Sequence, residues 1–370
     1  ALDLLPGVDL ATEEVELGVH KVLNDGMRSL SRPVDYRRPG VHMPTMDGSL
    51  ATGLDGSVWW FGLDGFFRLG DERTHDWPAE IRQALRRSEG TVIGWHDLEV
   101  GPDGIVWLAP SGLGMPLSAD GAPLIQGLMS FDGQEWTVRR KAPNGGQILG
   151  VEVQEDGTVW AAWVNEQNKN SVARLTGAGW EPLPGMLEGG SADQVGAGLA
   201  VAGKAQGDLW FGTRDLIFFD GETHERRYWT GFRRFDVGPD GTFWGRLQAG
   251  DGRMFTRQTP DGEWTNYDAT DGIFYLQNPT LFPHGLLEVA PDGSVWYGSG
   301  GINQRGGGGC NGLARHDGTS GGSYLEDWCI TAIDIDAEGN VWVQAWDTQA
   351  DPIEEVHTFV IAQEAVATTE

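Results

Sequence analysis

Two cysteines and 26 lysines and arginines in 370 residues are the first shortages, and no apolar run approaches the ~20 residues that span a bilayer. Against the few cations stand 54 carboxylates, a net charge of −28. A surface this acidic repels phosphate backbones and anionic lipid, so nucleic acid and membrane insertion are set aside as partners. Also missing are a Gly-x-Ser-x-Gly elbow, a Walker loop, His-Glu-x-x-His and a cysteine-rich zinc pattern, which removes the most familiar hydrolytic and nucleotide chemistry. The chain opens on Ala1 without a basic-then-apolar leader and carries no Asn-x-Ser/Thr sequon. That combination suits a bacterial protein, secreted or periplasmic, whose export signal has been removed. What is abundant is 56 glycines and 17 tryptophans, a composition too aromatic for disorder and dense in turns.

The tryptophans recur in a pattern. Asp-Gly-x-apolar-Trp appears as Asp55-Gly-Ser-Val-Trp59, Asp103-Gly-Ile-Val-Trp107, Asp156-Gly-Thr-Val-Trp160, Asp240-Gly-Thr-Phe-Trp244 and Asp292-Gly-Ser-Val-Trp296, with variants ending at Trp210 and Trp342. These seven indoles lie 48, 53, 50, 34, 52 and 46 residues apart. A period near fifty is the length of one four-stranded propeller blade.

Each unit repeats one grammar. A short strand such as Val151-Glu-Val153 or Phe235-Asp-Val237 precedes the Asp-Gly turn, where Gly tolerates positive φ and Asp can bond its own turn. The Trp strand follows, then a third strand such as Leu216-Ile-Phe-Phe219, a second Asp-Gly turn, and an outer strand opened by a second Trp, as at Trp136, Trp180, Trp229 and Trp264. Strands apolar on both faces suit blades sandwiched between neighbours. The expected fold is therefore all-β: a single seven-bladed β-propeller of four-stranded antiparallel blades over residues 1–370. The last unit is one strand short after His357–Ala362, and the alternating segment 13–23 is expected to complete it, closing the ring by pairing the two ends of the chain. Residues 76–90, with an Asp cap and Trp77, Ile81 and Leu85 at helical spacing, read as a short helical insertion, and 363–370 as a flexible tail.

Cys310 and Cys329 flank what reads as a hairpin with its turn at 317–322, which sets His316 opposite Ser323 and Cys310 opposite Cys329. That register brings both sulfurs within bridging reach and implies an oxidising compartment; two buried, unpaired thiols are the alternative.

The string Asp-Gly-x-Val-Trp-x-Gly followed by Gly-Leu-x-Arg-x-Asp-Gly, best seen at Val295-Trp-Tyr-Gly298 with Gly312-Leu-Ala-Arg-His-Asp-Gly318, resembles the two-component-regulator propeller repeat and the streptogramin-lyase (virginiamycin B lyase-like) repeats. The resemblance spans nearly the whole chain and implies the propeller fold. It implies function only coarsely, since such repeats serve sensor ectodomains, secreted binders and a few enzymes. Streptogramin lyases use a divalent metal with His and Glu in late blades; no clustered Glu-x-His stands in the late blades here, so that catalytic set does not carry over.

Blade order places the short Asp-Gly turns at one end of the ring and the long connections at the other, where function is expected. Those connections carry Trp163, Asn165, Arg246, Tyr275, Asn303, Arg305 and Trp346, aromatic rings beside amides and arginines that suit a carbohydrate, peptide or protein ligand of a monomeric binding module. The rival reading is a metal-assisted lyase, of streptogramin-lyase or polysaccharide-lyase type, at the channel mouth. There His96 and His284 precede inner strands, and Arg233 occupies the comparable place in another blade, as proton-transfer and charge-stabilising groups. One inner-strand carboxylate per unit, Glu99, Glu152, Asp236, Glu288 and Asp334, offers oxygen ligands for Ca²⁺ or Mg²⁺ on the axis, or else acceptors for neighbouring backbone amides.

Overall fold

Runs such as Val-Trp-Ala-Ala-Trp-Val and Val-Trp-Tyr-Gly have no polar face, so they are stable only as strands covered on both sides. In the computed structural model each Asp-Gly-x-apolar-Trp unit forms the second strand of a small antiparallel sheet, and there are seven such sheets. The structure describes residues 19–20, 27–31, 50–62, 65–69, 74–75, 95–110, 127–140, 147–164, 170–183, 200–203, 208–212, 216–228, 232–247, 255–268, 271, 286–298, 312–326, 328–347 and 357–362. The segments expected to be a helix (76–90) and a tail (363–370) lie outside the described residues.

Blades 1 to 6 span 50–75, 95–140, 147–182, 200–228, 232–267 and 287–324, each a four-stranded meander in chain order. Blade 3 shows the plan: inner strand Gln147–Val153, second strand Val159–Val164, third strand Asn170–Thr176 and outer strand Gly179–Pro182. Blade 7 contains Trp328–Ile335, Val341–Asp347 and His357–Ile361, and the N-terminal part of the chain completes it. The ring is closed as expected, but by a different strand. Met27–Ser31 pairs with His357–Ile361, Met27 opposite Ile361 and Ser31 opposite His357, while Val19–His20 sits outside it as a fifth strand. The physical reason is length: Met27–Ser31 matches all five residues of the strand it joins, and the two-residue Val19–His20 pairs only with Met27–Ser31.

The core is distributed over the seven interfaces between blades. Inner and second strands pair so that the motif Trp faces the inner-strand carboxylate position: Glu99 opposite Trp107, Glu152 opposite Trp160, Asp236 opposite Trp244, Glu288 opposite Trp296 and Asp334 opposite Trp342. Ladder partners share one face of a sheet. That face is always turned to the next blade. Trp59 packs with Leu98 and Val106 of blade 2, Trp107 with Val151 and Val159 of blade 3, Trp160 with Leu209 and Phe211 of blade 4, and Trp210 with Phe235 and Phe243 of blade 5. Trp244 continues onto Leu287 and Val295, Trp296 onto Ile333 and Val341, and Trp342 onto Leu50 and Val58 of blade 1. Two glycines two residues after the indole let the next inner strand approach. A Cβ on Gly212 would stand 2.1 Å from Phe235 Cε1, and one on Gly298 would stand 2.8 Å from Ile330 Cβ.

The expected cysteine hairpin is corrected. The third and outer strands of blade 6 pair His316 with Gly321 and Leu313 with Tyr324, two residues tighter than the register that aligned the cysteines. Leu325, at φ 51°, ends the outer strand, and Cys329 belongs to the inner strand of blade 7 instead. Cys329 is fully buried and is not a free thiol, whereas Cys310 lies outside the described residues.

Candidate functional site at the loop-bearing end of the ring

The two ends of the ring are built differently. At one end six blades carry the same turn. The Gly N–H donates back three residues, as from Gly104 to Gly101 O (2.9 Å) or Gly241 to Gly238 O (2.9 Å). In five of them the Asp before that Gly accepts from the backbone two residues on, as Asp156 does from Thr158 N–H (2.8 Å) and Asp240 from Thr242 N–H (2.8 Å), while in blade 7 Glu338 stands there and Asp336 accepts from Asn340 N–H (2.8 Å). These aspartates are structural acceptors, and their environments keep several of them ionised. Asp220 is pulled down to about 2 by the N–H groups of Thr223 and Glu222 and by the Thr223 hydroxyl. Burial would raise Asp292, but the Ser294 hydroxyl and N–H together with Arg315 outweigh it and leave it lowered. Asp208 moves the other way, raised by burial and by the nearby charge of Asp220.

At the opposite end, four inner strands share an irregularity. One residue is inserted in the inner strand between Trp95 and Asp97 (His96), between Ile148 and Gly150 (Leu149), between Phe232 and Arg234 (Arg233), and between Ile330 and Ala332 (Thr331). Each inserted residue lies three before the carboxylate position of its blade, so the bulges occupy one level of the ring. An extra residue bends the strand and re-aims the chain, a device frequent at rims and beside binding sites. In blade 7 the bulged Thr331 is buried and donates its hydroxyl to Gln344 O at 3.1 Å.

His96 and Arg233 therefore hold equivalent positions, as the sequence suggested, but on blades 2 and 5, which are not neighbours. The two thus stand at the same level of the ring in different blades. Arg246 stands in the second strand of blade 5, opposite Arg234 and beside the Arg233 bulge, and is half-buried. Trp346 lies in the second strand of blade 7, opposite Cys329. His284, Asn165, Tyr275, Asn303 and Arg305 lie outside the described residues. Trp163 is not a surface ring. It is 3 % exposed, packed in the interface between blades 2 and 3 with its ring centroid 6.2 Å from that of Trp180. Standing an odd number of residues from Trp160, it points to the other face of the sheet and fills the preceding interface.

The five inner-strand carboxylates do not converge. Because they share a face with the motif tryptophans, they reach towards the next blade. Asp236 accepts from Val289 N–H at 2.8 Å, and Asp334 accepts from Thr52 N–H across the closure of the ring. Glu152 is buried in the same setting, and Glu99 and Glu288 are half-buried. Among the described residues no three His, Cys, Asp or Glu side chains come together as a metal would require. Asp236 and Asp334 are thus inter-blade acceptors, the alternative the sequence offered beside an axial Ca²⁺ or Mg²⁺. The bulges were missed from the sequence, because an inserted residue leaves no compositional trace.

These features define the chain as a seven-bladed β-propeller with one regular end and one irregular end. No family model matches it, and no curated protein matches its sequence. Among solved structures it is similar to catalytically inactive virginiamycin B lyase from Staphylococcus aureus with Quinupristin, at a TM-score of 0.54 and 14 % identity over 90 % of this chain and 99 % of that one. The selenomethionine form of that lyase gives 0.55 and 13 % over the same shares. YCF48 bound to D1 peptide has a TM-score of 0.43 and 16 % identity, covering 69 % of this chain and 77 % of that one. At these identities the likeness to the lyase shows a shared fold.

Proposed function

We propose that the protein is an exported binding or sensing module that takes a carbohydrate, peptide or protein at its loop-bearing end, acting as a monomer. The observation that supports this most is the contrast between the two ends of the ring. The turn end is a repeated structural device that spends its aspartates on its own backbone, whereas the other end gathers the long connections and the four inner-strand bulges. Export is supported by the state of Cys329. Its sulfur is fully buried and not free, and Trp328 O beside it accepts from Gly312 N–H at 3.0 Å, two residues from Cys310. A Cys310–Cys329 bridge would then tie blade 6 to blade 7 instead of closing a hairpin. The lyase reading rests on the equivalent placement of His96 and Arg233 at the bulges, with His284 as a third group.

Screening the full chain against glycan and peptide arrays tests the binding reading. Hits should weaken in His96→Ala and Arg246→Ala variants and be unaffected by Arg68→Ala, which removes the partner of the turn residue Asp55 in blade 1. Hits that respond only to Arg68→Ala would place recognition at the wrong end. Release of an unsaturated product, followed by ultraviolet absorbance and lost in His96→Ala, would favour the lyase.

A further inference from the structure

A groove of about 410 Å³ opens between blades 3 and 4 towards the turn end, away from the loop-bearing end, and lies within the size range of small-ligand sites. Its floor is the edge-to-face pair Trp160 and Phe219, centroids 5.9 Å apart, with Leu183 beside it. Both blades bring carboxylates to it: Asp156 from the first turn of blade 3, Glu181 from its outer strand, and Glu222 from the second turn of blade 4. Arg174 is the one cation in the lining, and Glu181 engages it at 2.7 Å. The lining thus keeps a negative excess above an apolar floor. An anion would find no uncommitted positive group there, and a metal would lack convergent ligands, since no three such side chains meet among the described residues.

We propose that this groove is a second binding site, for a basic side chain presented by an extended segment of a partner protein. The aliphatic stem of an arginine or lysine would lie along Leu183 and the edge of Phe219, with its charged head between Asp156 and Glu222. Charge complementarity selects this occupant over an acidic or neutral one.

The test uses the full chain and a capped Gly-Gly-Arg-Gly-Gly peptide, with citrulline replacing arginine as the uncharged control, titrated by calorimetry at low salt. The arginine peptide should bind at least several-fold tighter than its citrulline counterpart. Asp156→Asn combined with Glu222→Gln should remove most of that difference, each exposed pair being worth up to about five-fold. Asn can still accept the Thr158 N–H bond that Asp156 accepts, and an unchanged melting temperature confirms that the variant is folded. Asp103→Asn with Glu135→Gln, the same charge change on blade 2, should leave binding intact. Equal loss in both double variants would show diffuse attraction to an acidic protein and overturn the site, as would equal binding of the citrulline peptide.

Discussion

Replacing Gly212 by alanine tests the packing rule on which the ring depends. Gly212 follows Trp210 by two residues, on the face that meets blade 5, and a Cβ there would stand 2.1 Å from Phe235 Cε1, 2.9 Å from Cδ1 and 3.1 Å from Cζ. Phe235 is 4 % exposed and stacks on Phe243 at 5.5 Å, so its ring has no open space to move into. Overpacking of this kind costs about 1–3 kcal/mol, and so close an approach belongs at the upper end. For a chain of this length about 2–3 kcal/mol lowers Tm by roughly 3 °C if unfolding is a single transition. Scanning calorimetry of Gly212→Ala is compared with Gly177→Ala, where nothing lies within 4 Å of the new Cβ. Phe235→Leu should cost stability alone, yet its combination with Gly212→Ala should cost clearly less than the two single changes together, because the smaller side chain vacates the contested space. Equal melting of the two alanine variants, or strict additivity in the double variant, would refute the claim that Gly212 is there to admit the next blade.

Three further outcomes follow from the same architecture. Asp236→Ala strands the Val289 N–H in the interface between blades 5 and 6 and should cost about 1–3 kcal/mol in urea unfolding, with Asp236→Asn recovering most of it; equal loss in both variants would mean the bond is not what matters. Folding depresses the Asp220 carboxyl to about 2, so its contribution is fully present above the ordinary carboxylate range and is lost as pH falls from about 4 through 2; Asp220→Asn should flatten the dependence of Tm on pH within that window, with a smaller change above it where Asp208, no longer raised by the Asp220 charge, titrates. Deleting residues 1–31 removes the strand paired to His357–Ile361 and should lower Tm and produce concentration-dependent association by gel filtration through the bared edge, whereas a monomer of unchanged Tm would show that closure is dispensable.

Much of this was legible because the chemistry is periodic. An Asp before a Gly before an apolar-Trp pair reports a turn and a doubly covered strand at once, and seven copies give the number of blades. Less regular parts resisted. Met27-Arg-Ser-Leu-Ser31 alternates too weakly to outrank the segment before it, yet its five-residue match to the last strand decides the pairing. The outer strand Gly321-Gly-Ser-Tyr324 has almost no apolar content, so its register could not be read and the cysteines were aligned two places out. Trp163 reads from the sequence as part of a long connection, whereas it lies within the strand Val159–Val164, where its odd offset from Trp160 turns it into the interface behind. The inner carboxylates were visible as a set, but whether they faced the axis or the adjacent sheet depended on a ladder that only coordinates supply.

A blade assembled from both ends of the chain also sets an order of events. Blades 1 to 6 use contiguous stretches and can form as each is synthesised, but the strand Met27–Ser31, which precedes them all, has no lasting partner until His357–Ile361, which follows them all, has emerged. Until then the nascent ring is an arc with an unsatisfied margin at each limit, and its fastening must wait until all six contiguous blades have been made.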